Sequence, residues 1–244
     1  MKAKLAGLAL LSGMSLAASA AQYNFTPIIE PRDTAGLNLV INLGNQLTMD
    51  VTDRGDNTAL FTFRNAGGIN AAVTGVYFDD TPSNLFSNVT IASQSPGEVS
   101  FHSVSPAPLP GGSIPTFNFT TTQQFNATSP TASNGVNNST APGGESLTLA
   151  AALRSGHSFT DVVNSLNGGN EANQSFLRVG LRLTAIENLD VCGCAMSFLD
   201  KGTGTSGGGE GSPPPPIPEP QTYGMLLAGL GLVSAMVRRG RKNG

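Results

Sequence analysis

The side chains able to do chemistry are few in this 244-residue chain, and they are scattered. Cys192-Gly193-Cys194 holds both cysteines. On a regular strand their α-carbons would lie about 6.6 Å apart, at the far edge of disulfide geometry, and Gly193 permits a tighter bend. Two thiolates do not complete a tetrahedral metal shell, and neither His102 nor His157 stands at ligand spacing from them. That leaves a disulfide, local or to another chain, as the leading chemistry. Asp50, Asp53 and Asp56, with Asn57, recur around one turn, and Asp79-Asp80 makes a second acidic pair. Calcium takes six to eight oxygen ligands, and close carboxylates supply part of such a shell. The spacing departs from the EF-hand loop, so a solvated turn is the competing reading. Arg54-Gly55-Asp56 matches a cell-adhesion tripeptide and reads first as a hairpin turn. Both histidines sit among serines, with no G-x-S-x-G elbow and no Gly-Lys-Ser/Thr phosphate loop. The expectation is a protein that is not an enzyme, without metal or cofactor. A Ser/His/Asp group assembled from distant positions is a matter for geometry.

The elements that must position these residues are mostly strands. Residues 46–52 alternate apolar and polar, 53–57 form a turn, and 59–64 complete a hairpin. Residues 72–78, 85–92 and 146–151 continue the pattern. Residues 175–186 are the clearest strand: Leu177, Val179, Leu181, Leu183 and Ala185 share one face, and Arg178, Arg182 and Thr184 the other. One short helix is predicted over residues 158–166. Ser158 and Asp161 have capping-box spacing there, and Phe159, Val162, Val163 and Leu166 form an apolar stripe. Short strands separated by Gly, Asn and Pro turns predict a mainly β fold, an antiparallel β-sandwich with one short helix, over residues 22–201. Residues 106–140 read as a long loop or irregular insertion, and 202–217 as a Gly/Ser/Pro linker.

Both ends of the chain read as export signals. Lys2 and Lys4 precede an apolar run at residues 5–16, and Ala18-Ser19-Ala20 supplies a small-x-small cleavage pattern. A signal peptide over residues 1–21, cut after Ala20 or Ala21, implies passage through the Sec translocon. At the other end, Pro218-Glu219-Pro220 is followed by an uncharged apolar run at 223–237 and then by Arg238, Arg239, Arg241 and Lys242. That run reaches about 22 Å as a helix, against a hydrocarbon core of roughly 30 Å, so snorkelling Arg238 and Arg239 or local thinning completes the span. The basic cluster stays cytoplasmic and puts the domain outside. In the oxidising compartment this implies, Cys192 and Cys194 are expected to pair with each other.

The tail at residues 218–244, with motif, apolar run and basic stop in register, resembles the PEP-CTERM sorting signal, also catalogued as an ice-binding-protein C-terminal domain. What the resemblance implies is a Gram-negative host and an exosortase as processing partner. The enzyme would recognise Pro218-Glu219-Pro220, cleave nearby, and pass the protein from the inner membrane to the cell surface or matrix. Residues 144–180 also resemble β-rich ectodomains found ahead of such tails, which carry no known activity. Ice binding would want regular threonine arrays, and Thr120-x-Thr122 and Thr203-x-Thr205 are isolated.

Composition narrows the role of the domain. Two of the 13 Lys and Arg lie in the leader and four in the tail, which leaves seven against 15 of the 16 acidic residues and a net charge of −8 over residues 22–217. An acidic ectodomain disfavours nucleic acid, and the basic cluster belongs to the membrane. Seven Asn-x-Ser/Thr sequons, at Asn24, Asn88, Asn118, Asn126, Asn137, Asn138 and Asn173, fit a surface protein and also arise by chance in so polar a chain. The function expected is structural or adhesive, in extracellular polysaccharide or a biofilm matrix. A calcium- or glycan-binding module is the alternative, with a secreted hydrolase behind it.

Overall fold

The computed structural model describes residues 20–28, 34–81, 83–112, 118–129, 131–138, 144–168, 176–187 and 195–200. Outside these lie most of the leader, the linker, the sorting tail with its 223–237 span, and both cysteines. The strands are β1 (Ala20–Pro27), β2 (Leu47–Asp53), β3 (Thr58–Asn65), β4 (Ala72–Asp79), β5 (Phe86–Gln94), β6 (Phe101–Val104), β7 (Gln123–Ala127), β8 (Val136–Asn137), β9 (Ser146–Leu153), β10 (Arg178–Thr184) and β11 (Met196–Asp200). The helices are α1 (Thr34–Gln46) and α2 (Phe159–Asn167).

The fold is mainly β and antiparallel, as expected. Its strands form one continuous sheet in the order β5-β9-β3-β2-β1-β11-β10-β4-β7-β6, with β8 beside β4. The expected two-sheet sandwich is thus replaced by a single sheet, because β1 pairs with β2 on one edge and β11 on the other. The end strands β5 and β6 are consecutive in the chain, and Gln94 Oε1 accepts a hydrogen bond from Phe101 N between them. The sheet therefore curls into a nearly closed barrel.

Local sequence accounts for the β2–β3 hairpin. Leu47, Met49 and Val51 alternate inward, opposite Phe61 and Phe63. Asp53 Oδ1 accepts from Gly55 N at 2.8 Å, and Gly55 adopts φ +85°, a left-handed turn conformation natural to glycine. In the core, Phe61, Phe78 and Phe86 meet edge to face, with ring centroids 5.3, 5.8 and 6.1 Å apart. A second, smaller cluster of Ile28, Tyr77, Leu109, Phe119 and Leu199 lies on the other face of the sheet, since Tyr77 and Leu199 alternate with core residues Phe78 and Phe198. Residues 105–112 and 118–122 supply part of that cover.

Three expectations require correction. Among the described residues the domain has two helices, against the one that the sequence predicts. Helix α1 was missed because its Asn, Gly and β-branched residues are weak helix formers, with no acidic residue in its first turn and no basic residue in its last. Packing on β1 holds it there: Val40 and Leu43 are fully buried, and a Cβ on Gly44 would meet Phe25 O at 2.4 Å. Gln46 accordingly ends a helix and does not begin a strand. The supposed insertion at 106–140 contains β7 and β8, which pair with β4. Helix α2 agrees with its prediction, with both halves of the Ser158–Asp161 capping box present and Phe159, Val162 and Leu166 buried.

Candidate functional site

Strand register brings most of the candidate residues to one end of the barrel. Ala20 pairs with Thr52, Phe25 with Asp200, and Arg178 with Asp79. The start of β1, the turn after β2, the end of β4, the start of β10 and the end of β11 therefore share that end. The predicted calcium ligands are all there, and each is engaged separately. Asp50 accepts from Arg64 Nη1 at 2.6 Å and from Gln22 Nε2 at 2.8 Å. Asp53 braces its own turn through Gly55 N. Arg54 and Asp56 close on each other at 2.5 Å, and that hydrogen bond holds the Asp56 carboxyl below the usual carboxylate range. The adhesion-like tripeptide is thus paired with itself. Among the described residues no group of three or more His, Cys, Asp or Glu is placed to hold a metal ion.

The Asp79-Asp80 corner is buried. Asp79 forms an ion pair with Arg178, with side chains 1% and 6% exposed. Arg178 Nη2 also donates to Asn118 O at 2.7 Å, and its guanidinium stands 5.3 Å from the Phe119 ring centroid. Asp79 Oδ2 accepts from Thr120 N at 2.9 Å. The pair therefore clamps residues 118–120 against the outer face of β4 and β10. Asp80 closes the β4–β5 connection: Oδ1 accepts from Leu85 N and Ser83 Oγ, and Oδ2 from Phe86 N, all at 2.8 Å. Next to this corner is an acid that sequence reasoning passed over. Asp200 is 1% exposed at the end of β11, and its Oδ1 accepts from Val179 N at 2.8 Å. Burial pushes its carboxyl up to about 7, against the opposing pull of that hydrogen bond and of Arg178. Burial first, and the Asp200 charge second, raise the Tyr23 phenol beyond its ordinary range. An acidic residue ending the apolar run Met196-Ser197-Phe198-Leu199-Asp200 was the available signal.

The two histidines lie in different settings, His157 just past the end of β9, where Arg154 N donates to Leu85 O and His157 N to Arg154 O. His102 is exposed on β6, opposite Asn126. His157 precedes the cap of α2, where the Ser158 hydroxyl bonds to Asp161 at 2.9 Å and accepts from Asp161 N at 3.3 Å. Ser, His and Asp are neighbours there, yet the serine is joined to the aspartate as a helix cap joins them. A charge-relay order needs the histidine between the two. The sequons divide as well. Asn126, Asn137 and Asn138 are tied to Gln124, Glu145 and Asn70, whereas Asn24, Asn88 and Asn118 are exposed.

The sorting residues Pro218, Glu219 and Pro220, the basic cluster Arg238, Arg239, Arg241 and Lys242, and the candidate pair Cys192 and Cys194 lie outside the described residues. Among the described residues no helix is long and apolar enough to cross a membrane. Comparison with known families is decisive for the tail. The PEP-CTERM protein-sorting motif matches residues 216–242. That motif implies exosortase-dependent export to the cell surface, with membrane-associated sorting on the way. No characterised protein and no solved structure matches the chain.

Proposed function

We propose that this chain, which carries a PEP-CTERM sorting motif, presents its β domain as a structural or adhesive module in extracellular polysaccharide or a biofilm matrix, and that the domain is not an enzyme. The matched tail at residues 216–242 carries the reading. Residues 223–237 hold the exported chain in the inner membrane, with Arg238, Arg239, Arg241 and Lys242 on the cytoplasmic side. Pro218 and Pro220 keep the motif extended, the form in which a protease binds peptide as a strand. Exosortase cleavage near Glu219 then frees the domain. Before cleavage, the linker at 202–217, Gly/Ser-rich and then Pro-rich, holds the domain off the membrane.

Support for a non-catalytic module comes from how the polar residues are spent. The carboxylates of the Asp50–Asp56 turn and the Asp79-Asp80 corner bond to neighbouring arginines and backbone amides, and Ser158 caps a helix. Intact-mass measurement of the protein recovered from the cell surface tests the processing step. The mature form should lack Arg241 and Lys242 together with the apolar span. A surface form that retains both residues overturns the reading.

A further inference from the structure

The last strand of the domain ends on a buried acid that the sorting function does not use. The β10–β11 ladder runs to Gly180 opposite Leu199, and at the next position the Asp200 carboxylate takes over by accepting from Val179 N. On its other side Asp200 faces β1, across from Phe25. The charged or titratable groups within electrostatic reach of it are Tyr23 from β1 and Arg178 from β10, and Arg178 is itself paired with Asp79 of β4. The Tyr23 hydroxyl is buried without a hydrogen-bond partner among the described residues.

We propose that Asp200 is a pH-responsive clasp on β11: uncharged, it locks into the sheet the strand that leads to the linker, and ionised, it loosens that strand. A carboxylate at this position loses its water, and the nearest cation already serves Asp79, so the charged form is disfavoured as long as β11 stays in place. Opening the strand returns Asp200 to solvent and to an ordinary carboxylate value near about 3.9. Its closed-state value is about 7. Because the closed value is the higher one, the clasp is at full strength below pH ~4 and weakens about tenfold per pH unit as pH rises toward ~7. Above that it levels off. This inference does not rest on the sorting proposal, because it concerns the strand and not the tail.

Hydrogen exchange on the full chain in detergent micelles, corrected for the intrinsic pH dependence of exchange, reads the clasp directly. Between pH 5 and pH 7 the opening of β11 peptides should rise about 50-fold, while peptides from β3 and β9 keep their protection. Asp200→Asn, which preserves the acceptor for Val179 N, should abolish the rise, and Tyr23→Phe should retain it. Equal β11 protection at the two pH values in the wild-type chain overturns the proposal. So does a rise shared equally by β3 and β9, or one that persists in Asp200→Asn. The wild-type comparison decides the matter even if that variant does not fold.

Discussion

At the tip of the β2–β3 hairpin and at the β4–β10 corner the same two residue types meet, in opposite settings. Arg54 and Asp56 are two residues apart in sequence and about half exposed. Arg178 and Asp79 are 99 residues apart and almost wholly buried. The first pair forms wherever its turn forms, stays hydrated and is screened by salt. The second lost its water on folding and recovers that cost only through a full set of partners: each other, Asn118 O, Thr120 N and the Phe119 ring. An acidic turn visible in sequence is thus a poor guide to where charge matters.

Substitutions sharpen that contrast in descending order of effect. Arg178→Ala, which leaves Asp79 buried and uncompensated, should cost about 3–5 kcal/mol in urea unfolding. Replacing both partners with apolar residues of similar volume should cost far less. Were Arg178→Ala as mild as a surface change, the corner would have to be wetter than its burial indicates, and the comparison would break. Asp80→Ala comes next. It strips the acceptor from Leu85 N and Phe86 N inside the β4–β5 connection, with a loss of about 2 kcal/mol expected by the same measurement. Smallest is Arg54→Ala, for which the melting temperature should stay where it was at both low and high salt. A clear drop there would mean that the hairpin tip contacts something beyond itself.

Legibility in the sequence followed the range of the interactions. The α2 cap was readable because Ser158 and Asp161 satisfy each other's backbone within one turn of helix. The β2–β3 hairpin was readable because the alternation of Leu47, Met49 and Val51 and the turn chemistry of Asp53 and Gly55 are both local. Strand β7 was not. Gln123-Gln124-Phe125-Asn126-Ala127 offers only Phe125 and Ala127 as an apolar face, too short a pattern to read alone, and it is a strand because Phe101–Val104 and Gly75–Phe78 flank it. Nor was α1, whose Gly44 makes sense only against Phe25 O.

Sequence alone sets the export route of this protein, since a sorting motif is a linear pattern read by other proteins. It also determined that the domain is built of antiparallel strands, because period-two alternation and turn residues act over a few positions. Tertiary structure alone decided which charges are buried. The face carrying Arg178 was evident, but its cover comes from Asn118 and Phe119, 60 positions away in the case of Asn118. Asp200 became an acid held near neutrality only when β1 and β10 closed on either side of it. Desolvation is a property of everything packed around a group, and no window of sequence contains its neighbours.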